Sequence, residues 1–146
     1  FRRVLFRSLI EEGAVPVVFN RGEARRFSMK QFLSGRGEVH CLSELIALMP
    51  SLDQVVVCAP PAIYSSLLGL DWTACSPGFW LMTLGYGPES RRFCRQIQRK
   101  GVPAEDGLAF LVGQGQAAFA LWTGKTVPLQ PLLDHLKRVA AQRWDN

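Results

Sequence analysis

Two short stretches hold residue types whose spacing could do chemistry. The first is Asn20-Arg21-Gly22-Glu23-Ala24-Arg25-Arg26, a basic turn directly after the apolar run Val15–Phe19. In a parallel α/β fold, the turn after such a strand meets the ribose of a dinucleotide, and an acidic residue there takes the free 2′-hydroxyl. Arginines instead give a 2′-phosphate planar, two-pronged contact, and a second one a few residues on closes around the same group. The turn therefore favours NADP over NAD, against the plainer reading of a solvated basic turn opening a helix. The second stretch is residues 106–124, DGLAFLVGQGQAAFALWTG. Leu108, Leu111, Val112, Gly115, Phe119 and Trp122 fall on one face at helical spacing, and Phe110 and Leu121 on others, which predicts a helix covered on several sides. Gln114 would then need hydrogen-bond partners, and an amide donates and accepts at once. Gly107 and Gln114, seven residues apart, lie nearly in line, so one ligand could meet both.

Other reactive types give less. Cys41, Cys58, Cys75 and Cys94 stand far apart with no CxxC pair, so packed, reduced thiols are expected rather than a zinc site. His40 beside Cys41 makes at most half of a metal site, and no metal is expected.

These stretches need elements to hold them. Leu9 to Gly13 reads as a helix tail with a glycine cap, and Val15–Phe19 as a buried parallel strand. Glu23–Leu33 and Ser43–Met49 suit helices, and Gln54–Ala59 is the clearest strand, stopped by Pro60-Pro61. Phe79–Leu84 reads as a strand, Glu89–Lys100 as a helix bounded by Gly101, and Val102–Glu105 as a short extended link. Two helices close the chain, about Gly107–Trp122 and Leu129–Arg143, with Gly124 as the stop between them. Alternating strands and helices imply a Rossmann-like, doubly wound parallel sheet, with ligands at the carboxyl ends of its strands. The sheet is incomplete on this reading, because the first strand and the Gly-rich GxGxxG loop that should follow it are missing.

Composition fits one ordinary domain: 146 residues, 48% hydrophobic and 20% charged, with no apolar run of membrane-spanning length. A soluble, cytoplasmic protein is the expectation. Net charge is +5, but Arg2, Arg3 and Arg7 belong to the opening FRRVLFRS. That octet matches, codon by codon, the translation of a common sequencing adapter, and the chain begins without Met. Residues 1–8 are therefore read as an artefact and set aside. The charge left is too small and scattered for a nucleic-acid footprint.

The stretch DGLAFLVGQGQAAFALWTG is similar, position by position, to the DGLGMLVxQAAxAFxLWTG signature of the shikimate dehydrogenase family. Asn20-Arg21 with Arg25 resembles the family's NRTxxR turn, and Tyr86-Gly87-Pro88 its YxP turn, so the resemblance runs from about Leu9 to Trp144. It implies a partial NADP-binding domain with the C-terminal helices over residues 9–146. By the same resemblance, Asn20, Arg21, Gly22, Glu23, Ala24 and Arg25 bind NADP, and Leu84 and Gly107 lie against its nicotinamide end. Tyr86 and Gln114 touch shikimate or 3-dehydroshikimate. The implied reaction is reversible hydride transfer between NADPH and 3-dehydroshikimate, in aromatic amino acid biosynthesis. The family's catalytic Lys and Asp lie in an N-terminal substrate domain with no counterpart here, so no catalytic residue is assigned and the chain alone is expected to be inactive. A dehydroquinase fused upstream is a further expectation.

Departures accompany the matches. The family's NATPxGM is Cys58-Ala59-Pro60-Pro61-Ala62-Ile63-Tyr64 here, with bulky Ile63 where backbone should approach a ligand. The aspartate three residues before the tyrosine is Thr83, and the NRT threonine is Gly22. They leave room for a second reading, a non-catalytic nucleotide-binding or interaction module of the same fold. A third expectation is self-association through faces left uncovered.

Overall fold

The computed structural model describes residues 2–144, and the chain forms two compact units, one up to Ser51 and one from Leu52.

In the first unit, helix α1 (Arg2–Glu11) runs through the opening octet, whose first residue lies outside the described residues, and Gly13 follows it at φ 86°. Strand β1 (Val17–Phe19), helix α2 (Glu23–Leu33) and strand β2 (Glu38–His40) make one strand-helix-strand unit. The two strands are parallel, with Val17 opposite Glu38 and Phe19 opposite His40. Leu33, Val39, Leu45 and Met49 are buried. The segment read as one helix over Ser43–Met49 is a four-residue helix α3 (Leu45–Leu48) between two 3₁₀ turns. Strand β2 escaped the sequence reading because only Val39 of its three residues points inward, between two polar neighbours.

The second unit is built on a parallel three-stranded sheet in the order β3 (Gln54–Val57), β4 (Trp80–Thr83), β5 (Ala104–Glu105). The extended link of the sequence reading is thus a paired strand, with Ala104 opposite Leu81. Pro60-Pro61 does end β3, but Pro61 opens a 3₁₀ turn that leads into helix α4 (Tyr64–Leu68). A proline at the first helical position lacks only an N–H that would have no partner anyway. Helix α5 (Pro88–Gln98) buries Phe93 and Ile97, and Leu81 of β4 is buried with them.

Helix α6 (Leu108–Thr123) buries Leu108 and Val112 in a cluster with Leu133 and Ala140 of helix α7 (Leu129–Trp144). Gly124 ends α6 in the left-handed conformation. The expectation that α6 is covered on several sides is corrected: Leu111 and Phe119 are about two-fifths exposed, and Leu121 and Trp122 are 83% and 81% exposed. The two buried residues of α6, Leu108 and Val112, are the ones packed with α7. The α/β class with parallel strands stands, though the pairing falls into two sheets of two and three strands. Among the described residues, no helix is long and apolar enough to cross a membrane.

Candidate cofactor and substrate surfaces

In the first unit, the turn after β1 is shaped by its own side chains. Asn20 N–H donates to the His40 carbonyl at 3.1 Å, carrying the strand pairing one step past β1. Its side-chain oxygen accepts the Gly22 N–H at 2.9 Å, closing a tight Asx turn. Arg26 folds back from the first turn of α2 and donates to the carbonyls of Asn20 at 3.0 Å and Arg21 at 2.7 Å. Sequence reading did not assign Arg26, whose role is to brace the turn. Residues Arg21, Gly22, Glu23, Ala24 and Arg25 are left exposed. Two exposed guanidinium groups beside a helix N-terminus favour a phosphate-like anion, with Glu23 opposing part of that field.

At the end of β2, His40 is held by two carboxylates. Its Nε2 lies 2.8 Å from Glu38 and its Nδ1 2.8 Å from Glu44, and its ring stacks on Phe19. Hydrogen bonds to Glu38 and then Glu44 raise its pKa above the usual imidazole value. Both nitrogens are thereby engaged, and among the described residues no group of three His, Cys, Asp or Glu side chains is arranged to hold a metal. The neighbouring Cys41 thiol is pulled down by hydrogen bonding from Ser43.

In the second unit, the structure brings Leu84 and Gly107 together. Gly107 N–H donates to the Gly85 carbonyl at 2.8 Å, and a Cβ added to Gly107 would lie 2.3 Å from the Leu84 carbonyl oxygen. Only glycine lets the chain entering α6 rest on the turn leaving β4. Asp106 accepts the Leu108 N–H at 3.1 Å, an Asx turn just ahead of the N-cap Gly107. Tyr86 is about half exposed on the turn before α5. Gln114 is also exposed, so the expected requirement for protein partners falls away and its amide is open to solvent or ligand. Gly113-Gln114-Gly115-Gln116-Ala117-Ala118 has the spacing GxGxxA, but it lies inside α6 and follows no strand, so it forms no phosphate loop.

The CAPPAIY segment behaves differently from expectation. Ile63 is buried in the core rather than set against a ligand surface. Tyr64 beside it is also buried, and its hydroxyl meets Thr83 at 2.9 Å and Ser90 at 2.8 Å. Sequence reading missed this cluster, although Tyr64 and Thr83 were each visible as departures from the family pattern.

Parallel strands joined through helices, with polar and glycine-bearing turns at the strands' carboxyl ends, define an α/β fold of the dinucleotide-binding type. Residues 107–137 match the family model for the shikimate 5′-dehydrogenase C-terminal domain. Among curated relatives, the shikimate dehydrogenase (NADP(+)) of Moorella thermoacetica is 36% identical over 80 residues, covering 55% of this chain and 26% of the relative. The Thermus thermophilus shikimate 5-dehydrogenase, solved in complex with shikimate, superposes with a TM-score of 0.65 at 22% identity, over 91% of this chain and 48% of that one. A chorismate mutase/shikimate 5-dehydrogenase fusion protein from Clostridium acetobutylicum gives a TM-score of 0.54 at 19% identity, over 97% of this chain and 61% of that one. The chain is thus similar, in fold and over residues 107–137 in sequence, to the C-terminal part of shikimate dehydrogenases, and it spans less than two thirds of the length of each of these proteins.

Proposed function

We propose that this chain is the cofactor-side part of an NADP-dependent shikimate dehydrogenase. The observation that carries the reading is the seating of Gly107 on the Leu84 carbonyl at the head of the matched residues 107–137. It sets the start of α6 directly on the carboxyl end of β4, where this fold class presents ligands.

The residues present suit the cofactor on chemical grounds. Arg21 and Arg25 would hold the 2′-phosphate, with Asn20 and Gly22 shaping the turn and Glu23 and Ala24 opening the helix behind it. The backbone at Leu84 and Gly107 would offer a close, side-chain-free surface to the nicotinamide end. NADP supplies the hydride chemistry when bound; this chain binds, orients and walls the reaction space. Tyr86 and Gln114, both exposed, would offer a hydroxyl and an amide to the substrate's hydroxyls.

Proton transfer is assigned to no residue of this chain, so the chain alone is expected to turn over nothing. Titration with NADP and NAD should show the phosphorylated cofactor binding more tightly. Joined to its upstream sequence, the protein should form NADPH on addition of shikimate. No turnover with shikimate or quinate would overturn the reading in favour of a non-catalytic module. An upstream dehydroquinase remains part of the proposal, while the Clostridium acetobutylicum fusion partner is a chorismate mutase.

A further inference from the structure

Tyr64 and Thr83 lie nineteen residues apart in sequence, and each departs from the family pattern on its own, yet the fold joins them by a hydrogen bond. Tyr64 Oη stands 2.9 Å from Thr83 Oγ1 and 2.8 Å from Ser90 Oγ. All three side chains are more than nine-tenths buried. The Tyr64 ring stacks on Phe93 with centroids 4.2 Å apart, which keeps the hydroxyl from swinging away.

The connection continues through backbone. Thr83 Oγ1 also accepts the Gly85 N–H at 3.1 Å, and the Gly85 carbonyl accepts the Gly107 N–H at 2.8 Å. A Cβ on Gly85 would come within 2.7 Å of Tyr64 Oη and 2.6 Å of Ser90 Oγ, so the hydroxyls fill the space right up to the turn. One path of hydrogen bonds therefore leads from the altered CAPPAIY segment to the start of α6.

We propose that Tyr64, Thr83 and Ser90 form a hydroxyl relay that positions the Leu84–Tyr86 turn and Gly107 for the nicotinamide end of a dinucleotide, where the family pattern carries a carboxylate. The inference rests on the cofactor reading above. Tyr64 is a positioning residue that touches no ligand. A buried relay with every hydroxyl partnered holds one arrangement, because any displacement strands a polar group. The turn it holds presents backbone rather than side chains, so losing the relay loosens ligand contacts without removing any.

The test is Tyr64→Phe, which deletes one oxygen and keeps the ring stack. Hydrogen exchange at the Gly85 and Gly107 amides should accelerate. Affinity for NADP should fall roughly three- to tenfold, the scale of one lost hydrogen bond, while affinity for 2′,5′-ADP, which lacks nicotinamide, holds. Thr83→Ser, which keeps the hydroxyl, should behave as wild type in both measurements, and Thr83→Val should reproduce the Tyr64→Phe effect. Should Tyr64→Phe fail to fold, Ser90→Ala removes one arm of the relay and is read the same way. Unchanged exchange at both glycines, or equal losses for the two ligands, would overturn the relay alone. A wild-type chain that binds neither ligand would overturn the cofactor reading and with it the relay's role toward that ligand.

Discussion

The basic turn of the first unit and the glycine junction of the second prepare for a ligand by opposite means. Around Asn20 the geometry is made by polar side chains bonded to nearby backbone, and Arg21 and Arg25 stay exposed. Around Gly107 the geometry is made by the absence of a side chain, with the Leu84 carbonyl occupying the place a Cβ would need. Chemistry is displayed in one region and space is reserved in the other. Mutations should therefore cost ligand affinity alone in the first region, and folding stability as well in the second.

The largest effect should come from Gly107→Ala. A carbon 2.3 Å from a backbone oxygen cannot be relieved by a rotamer change, so either β4's exit or the start of α6 must shift. Overpacking of this kind costs about 1 to 3 kcal/mol, readable as a lower denaturation midpoint. An unchanged midpoint would show that the junction is loose and would dissolve the contrast.

Next in size are Arg21→Ala and Arg25→Ala. Each removes an exposed cation, so stability should stay within about 0.5 kcal/mol of wild type. Affinity for NADP should drop by roughly tenfold in each, the scale of a lost charge-assisted hydrogen bond, with little change for NAD. Equal losses for NADP and NAD would mean that the arginines do not read the 2′-phosphate.

The same contrast explains what was legible in the sequence. The bounds of α2 could be read directly, because Gly22 and Ser34-Gly35 bracket a run of helix formers after a β-branched strand. The Asn20–Arg25 turn was legible because its chemistry is carried by residue types. Arg26 was seen as one more charge, since only the fold shows its side chain turned back onto the Asn20 and Arg21 carbonyls. Strand β2 and helix α4 were lost to shortness and to a proline pair that ends one element by starting another. For α6, periodicity gave the helix but not its cover: apolar spacing says which residues share a face, never whether anything lies against it. Leu121 and Trp122 make the point, apolar and more than four-fifths exposed.

Thiol reactivity also differs between the two units. Cys41, in the first unit, is partly exposed and its pKa is lowered by hydrogen bonding from Ser43, with Arg26 adding to the effect. Cys94, on α5, is buried, and its pKa is pushed up to about 12 by desolvation. Since the thiolate is the nucleophile, iodoacetamide at mildly alkaline pH should label Cys41 first and Cys94 last. Early labelling of Cys94, followed by peptide mass spectrometry, would mean that the core of the second unit around α5 opens readily.

The smallest expected effect is the pH response of His40, and its sign follows from its partners. Glu38 and Glu44 stabilise the imidazolium, so its folded pKa lies above the ordinary value of 6.5. The stabilisation is fully present below the unfolded value and is lost as pH rises through the raised folded value. Both carboxylates are well exposed and solvent screens the pair, so the contribution should be at most about 1 kcal/mol. Denaturation midpoints measured from pH 6 upward should fall slightly in wild type, and His40→Gln should flatten that part of the curve. A wild-type midpoint that rises over the same interval would show that the carboxylates do not hold a charged His40, and the first unit's display of polar side chains would then end at the Asn20 turn.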